Sequence, residues 1–184
     1  MFERLAKRLR PEADAEARRL YQAIVNQARR PEFYQELSVA DTVEGRFDMI
    51  ALHAFLVQET LADNQEHDVL ARRLMEVFVQ DMDRNLREMG AGDTSIGKKV
   101  RARAEAAFGR FAAYREALSA DNPAGLEQAL LRNVYAGRDP GAQTVARLAA
   151  YVRTALARLE QNRSTIGAGL TTFPEPSEGS ESHG

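Results

Sequence analysis

One stretch of this chain limits what it can fold into more than any other. From about residue 43 to 62, Phe47, Met49, Ile50, Leu52, Phe55, Leu56, Val57 and Leu61 take up most of the circumference of a helix. A helix that is apolar nearly all round has to be buried, so the rest of the chain must supply its cover. Strand alternation is nearly missing, and apolar residues elsewhere recur at three and four, which is helical spacing. With 184 residues there is room for one such core and not for two. The expectation is an all-α fold, a single helical domain of about six or seven helices.

Punctuation divides the chain. Residues 1–10 form a basic amphipathic segment, with Phe2, Leu5 and Leu9 on one side and Arg4, Lys7, Arg8 and Arg10 around them; Pro11 is expected to interrupt it. A helix over 12–30 carries the stripe Ala17, Leu20, Tyr21, Ile24, Ala28 and stops before Pro31. A short piece over 33–37 follows. Asp41 is the preferred N-cap of the apolar helix, because Glu44 then falls at capping-box spacing, whereas Thr42 would put Gly45 there. The helix over 66–89 shows Leu70, Leu74, Phe78, Met82, Leu86 and Met89, with Gly90 placed to end it. Thr94 or Ser95 caps the helix over 95–119, whose face is Val100, Ala104, Phe108, Phe111 and Leu118. Asn122 and Pro123 open a helix to about Tyr135. The last helix, 142–162, carries Val145, Leu148, Val152, Leu156 and Leu159. The helical domain is thus 12–163. Residues 164–184, rich in Ser, Thr, Glu, Gly and Pro, read as a disordered tail.

Composition removes several chemistries. There is no cysteine, hence no disulfide, thiolate metal site or cysteine nucleophile. Three histidines make a histidine-rich zinc site improbable, and neither His53 nor His67 has a Glu three residues before it, as a di-metal bundle requires. A net charge of −2 gives no global field for nucleic acid. No run of about 18 apolar residues occurs, so no span is expected. Gly92 to Lys99 approaches the phosphate-loop pattern, but Lys99 stands where a magnesium-binding hydroxyl is needed and a helix precedes the loop. Lys98, Lys99, Arg101 and Arg103, extended by Arg110 and Arg115, read either as a solvated face or as contacts to an acidic partner, lipid head groups or RNA phosphate. Asp83 with Arg87 and Arg84 with Glu88 stand four apart, as helical ion pairs do. His53, on the apolar helix, reads as a buried histidine bonded to a neighbouring helix. Met49, Phe55, Met75, Phe78, Met82 and Met89 are open to two readings, core or adaptable binding surface. No catalytic group and no cofactor are expected.

Four ordered blocks carry a resemblance. They are Arg30-Pro31 with Phe33-Tyr34; Asp41-Thr42, Gly45-Arg46-Phe47-Asp48 and Leu52-His53; Asp81-Met82-Asp83-Arg84, Leu86-Arg87-Glu88-Met89-Gly90 and Gly92-Asp93; and Phe108-Gly109-Arg110 with Tyr114, Ala129-Leu130 and Arg132-Asn133-Val134-Tyr135. The chain resembles the ubiquinol–cytochrome c chaperone family, the assembly factors of the cytochrome bc1 complex, over about residues 20–137. The resemblance implies a non-enzymatic chaperone that binds newly made cytochrome b or another bc1 complex subunit, with a small assembly partner left open. It also implies a place at the cytoplasmic face of a bacterial inner membrane, since Glu3, Glu12, Asp14 and Glu16 do not suit a transit segment. Peripheral contact with anionic membrane through residues 1–10 is the accompanying expectation, with packing of that segment on the domain as its rival. The motif residues Phe33, Tyr34, Arg46, Asp48, His53, Asp83, Arg84, Arg87 and Glu88 are the expected partner-binding set. A small helical enzyme or a regulatory module of unknown ligand is the alternative.

Overall fold

The computed structural model describes residues 2–62, 67–90, 92–120, 123–166 and 172–177. Seven helices appear among them: α1 Phe2–Ala28, α2 Pro31–Gln35, α3 Val43–Leu61, α4 Asp68–Glu88, α5 Asp93–Ser119, α6 Pro123–Asn133 and α7 Ala142–Gln161, followed by one 3₁₀ turn, Arg163–Thr165. The all-α expectation holds. As its apolar circumference requires, α3 is the axle: 13 of its 19 residues are buried. Helices α1, α4, α5, α6 and α7 pack side by side in that order around it, and α1, α4, α5 and α7 touch it directly.

Several boundaries differ from the expected ones. Pro11 does not break α1, whose backbone runs through it. A proline removes one donor and crowds the preceding turn, which bends a helix without ending it when packing holds the flanks; here α1 lies along α4. The side chains of residues 2–11, and with them the apolar face expected there, lie outside the described residues, as does the Asn122 cap. The cap of α3 is Thr42, not Asp41. The Thr42 hydroxyl accepts from the Gly45 backbone N–H at 3.1 Å. A Cβ on Gly45 would lie 2.0 Å from the Ala40 carbonyl oxygen. The chain therefore places glycine where the backbone enters the axle, and that geometry defeats the capping box. Asp41 and Glu44 turn outward, to Arg46 and Arg103.

Helix α5 starts at Asp93, with Gly92 as its cap and no side-chain bond, so neither Thr94 nor Ser95 caps it. Gly90, at φ +83°, ends α4 as expected. Along α5 the buried ridge runs through Ala107, Phe111 and Tyr114, and Phe108 stands one position off it, about 100° round the helix, at 42% exposure. The expected stripe through Phe108 is corrected accordingly. Of the Met and Phe residues left open, Met49, Phe55, Phe78 and Met82 are core and Met75 packs against it, while Met89 is exposed.

Part of the segment expected to be disordered is packed. Ile166, Pro174 and Pro176 are buried, and the Phe173 ring stands edge-on to His53 with centroids 5.3 Å apart. Residues 167–171 and 178–184 lie outside the described residues.

Two measurements check this packing. Phe78 touches Tyr21, Phe47 and Phe111 by ring contacts and is 1% exposed, so Phe78→Ala should cost about 3–5 kcal/mol in urea denaturation. Removal of residues 167–184 should lower stability by about 1–2 kcal/mol, because Gln27 then loses its acceptor on Pro174; an unchanged melting temperature would show that this contact contributes nothing.

Candidate partner-binding groove

The expected site residues separate into an interior set and a surface set. Phe33 and His53 are fully buried and meet Tyr151 of α7 in a cluster of edge-on and tilted rings. Within it, His53 Nδ1–H donates to the Met49 carbonyl at 2.8 Å, as the i−4 acceptor on its own helix dictates. Nε2 is therefore the acceptor, and the Tyr151 hydroxyl donates to it at 2.7 Å. The Gln27 amide donates to the Tyr151 oxygen at 3.0 Å and to the Pro174 carbonyl at 2.9 Å. Burial holds His53 neutral, its pKa lowered to about 4. With residues 172–177 in place, His53 and Phe33 are covered, and neither lines the groove described below. The reading of His53 as a buried histidine bonded across helices agrees with this geometry.

Asp48 is also interior, at 7% exposure. Its Oδ1 lies 3.0 Å from Arg110 Nη2 of α5. Burial raises its pKa to about 6, against the opposing pull of Arg110. Asp48 is one rung of a ladder in which Arg103, Arg110 and Arg115 of α5 pair with Glu44, Asp48 and Glu59 of α3. The basic residues of α5 are thus largely ties between helices, which the sequence left open. Arg101 pairs with Glu105 on its own helix, while Lys98 and Lys99 are exposed.

The surface set gathers around a groove. A cavity of about 220 Å³ lies where α1, α3, α4 and α5 converge, lined by Tyr21 and Arg29, by Val43, Arg46, Phe47 and Ile50, by Phe78, Asp81, Met82 and Asn85, and by Arg103. A second hollow, about 390 Å³, shares Arg29 and Arg46 and continues past Pro31, Tyr34, Gln35 and Asp41. The floor is aromatic. Phe47 and Phe78 stack at 6.1 Å, and the Arg103 guanidinium lies 4.4 Å above the Phe47 ring. On the α4 wall, Asp81 accepts from the Tyr21 hydroxyl at 2.8 Å and from Asn85 at 2.9 Å, and pairs with Arg84. Burial and the neighbouring carboxylate push the Tyr21 phenol far above its ordinary range. Tyr34, whose hydroxyl donates to the Ala28 carbonyl at 2.6 Å, is pushed up to about 12 by burial.

Charge on the rim is available. Arg29 is exposed and makes no ion pair among the described residues. Arg46 pairs with Asp41 at 2.6 Å, but both side chains are more than half exposed, and such pairs exchange readily for another anion. Arg84 reaches the groove through Asp81, whereas Asp83, Arg87 and Glu88 continue along the exposed end of α4, with Arg87 on Asp83. Of the nine expected residues, Tyr34 and Arg46 line the groove and Arg84 borders it. Tyr21, Arg29, Asp81 and Arg103 complete it without having been singled out as site residues; each belongs to a helix pair whose contact no local pattern announces. Among the described residues no group of three or more His, Asp and Glu is placed to hold a metal ion. No described helix is long and apolar enough to cross a membrane.

With that geometry in hand, comparison with known proteins is specific. A family model described as ubiquinol–cytochrome c chaperone matches residues 35–168, from the end of α2 past the 3₁₀ turn. Among solved structures, the crystal structure of the Cbp3 homolog from Brucella abortus is similar, at 30% identity and a TM-score of 0.82, over 97% of this chain and 99% of that one. No curated protein matches.

The two buried titratable groups of α3 oppose each other in pH dependence. Asp48, raised to about 6, binds more proton in the folded than in the unfolded state between about pH 4 and 6, so its contribution falls as pH rises through that window. His53, lowered to about 4, binds less, so its contribution rises from about pH 4 towards 6.5. Wild-type stability should be nearly flat there. Asp48→Asn should leave the His53 term alone, and urea denaturation at pH 4, 5 and 6 should then show stability climbing with pH.

Proposed function

The chain belongs to the ubiquinol–cytochrome c chaperone family, and from that premise we propose that it is a non-enzymatic assembly chaperone of the ubiquinol–cytochrome c reductase (bc1) complex. Newly made cytochrome b is the client, held in the groove between α1, α3, α4 and α5. The observation that carries this reading is the groove itself: an aromatic floor of Phe47 and Phe78 under exposed arginines, with Arg29 unpaired among the described residues. An emerging membrane subunit presents apolar side chains beside loop charges. A preformed apolar cleft with a basic rim suits a short amphipathic helix or loop of that kind. The Brucella abortus Cbp3 homolog, similar over nearly its whole length, supports the same family role.

The place of action in this reading is the cytoplasmic face of a bacterial inner membrane. Contact there is peripheral, through the basic amphipathic residues of segment 1–10, each cation contributing about 1 kcal/mol beside an anionic surface.

Two tests follow. Arg29→Glu with Arg46→Glu should cut recovery of cytochrome b from detergent-solubilised membranes about tenfold or more with the fold intact by circular dichroism, since truncated or reversed charges at an interface cost on the order of 1–2 kcal/mol; Arg87→Glu, farther along α4, should cost less. Normal recovery with the groove pair reversed would remove the groove from the account. Separately, the full chain should co-sediment with anionic vesicles at low salt, less at high salt, and hardly at all once residues 1–10 are deleted.

A further inference from the structure

The packed piece of the C-terminal segment, residues 172–177, has the anatomy of a bound peptide. Its Phe173 ring meets His53 edge-on at 5.3 Å. The Pro174 carbonyl accepts from Gln27 Nε2 at 2.9 Å, and Gln27 is only 9% exposed. Glu175 pairs with Arg30, whose guanidinium also holds Glu32. Pro174 and Pro176 are buried. His53 belongs to an aromatic cluster with Phe33 and Tyr151, and Gln27 bridges the Tyr151 hydroxyl and the Pro174 carbonyl. Each contact reads a different property: a ring, a carbonyl at a fixed place, and a negative charge. The Gln27 amide is a directional donor, buried, and prepared for a backbone carbonyl that helices α1 to α7 do not supply. Two prolines lower the entropy that the segment loses on docking, as in other proline-bearing peptide ligands.

We propose that Gln27, Arg30, Phe33, His53 and Tyr151 form a peptide-recognition seat for a segment carrying an aromatic residue, a proline and an acid in that order, and that Phe173-Pro174-Glu175 occupies this seat in cis until a partner segment of the same chemistry displaces it. The seat is separate from the groove and stands whether or not the groove binds cytochrome b. It adjoins it, since Arg30 neighbours both Arg29 and Pro31 of the groove wall. A partner carrying this segment would thus dock beside whatever the groove holds.

A labelled peptide with the sequence of residues 171–178 tests this by fluorescence anisotropy on the full chain. Phe173→Ala with Glu175→Lys vacates the seat without altering its walls. The peptide should bind the vacated chain at least about tenfold more tightly than wild type, because a resident cis occupant divides the apparent affinity by the fraction of open seats. A scrambled peptide should bind neither. Should the double variant unfold, Glu175→Lys alone, at an exposed side chain, makes the same comparison. Charge reversal adds a readout that mere packing does not move: in a chain vacated by Phe173→Ala with Glu175→Ala, adding Arg30→Glu should lower the affinity of the native peptide about fivefold, and a peptide carrying lysine in place of Glu175 should regain it. Equal binding to wild-type and vacated chains, no binding to the vacated chain, or failure of the charge swap each overturns the proposal.

Discussion

Burying most of α3 puts several of its polar side chains out of reach of water, and much of the fold is arranged around the partners that meet them, on α3 itself or on another helix. An unmet buried donor or acceptor costs about 1–3 kcal/mol, a large part of the stability of a domain this size. His53 meets this by bonding its own turn at Met49 and Tyr151 of α7. Thr60 satisfies itself on the Leu56 carbonyl. Asp48 draws in Arg110, and the outer positions Glu44 and Glu59 draw in Arg103 and Arg115. Close packing of rings such as Phe55 against Phe111 and Tyr114 already limits how the helices can shift, and the polar pairs of α5 and α7 with the axle add direction to it. These directional ties fix their register, a role better attested for buried polar groups than net stabilisation.

That division also explains why the family motif is not one surface. In the stretch Gly45-Arg46-Phe47-Asp48, adjacent residues serve opposite ends of the structure. Gly45 lets the backbone pass within van der Waals limits of Ala40, and Asp48 ties α3 to α5. Arg46 and Phe47 face the groove. A helix turns about 100° per residue, so four consecutive positions necessarily span its inside and its outside.

The helices were legible because their signal is local. Periodicity at three and four placed α3, α4 and α7, and the burial of α3 followed from its composition. What escaped was of longer range or finer scale. Glu44 and Arg103 are 59 residues apart, Tyr21 and Asp81 are 60, and His53 and Tyr151 are 98. Such partners are set by which helices become neighbours, and no window of sequence contains both. The Asp41 capping box looked sound on spacing and failed on space, since the carbonyl of Ala40 decides which residue can enter the axle. The C-terminal segment misled by composition: a Ser- and Pro-rich stretch has little to bury, yet Phe173 and two prolines suffice where Gln27 and Arg30 wait for them. In the groove, Arg46 and Tyr34 were found through motif residues, whereas Arg29 carried no mark beyond its charge.

The groove inherits its rigidity from the same core. Its floor is the outer end of a column of rings, in which Phe47 stacks on Phe78, Phe78 on Phe111 at 6.2 Å, and Phe111 tilts against Phe55 of the axle. Arg103 caps the column while bonding Glu44, so the outermost ring is held from both sides. A side chain arriving in the cleft therefore meets a surface that already has its final shape. Under the proposed function, the entropy lost on docking would fall mainly on the long arginines of the rim and on the client. On the proposed reading, a client still exposing apolar surface would be captured without rearrangement of the groove. Release on that reading would depend on the weak, screened pairs at the rim.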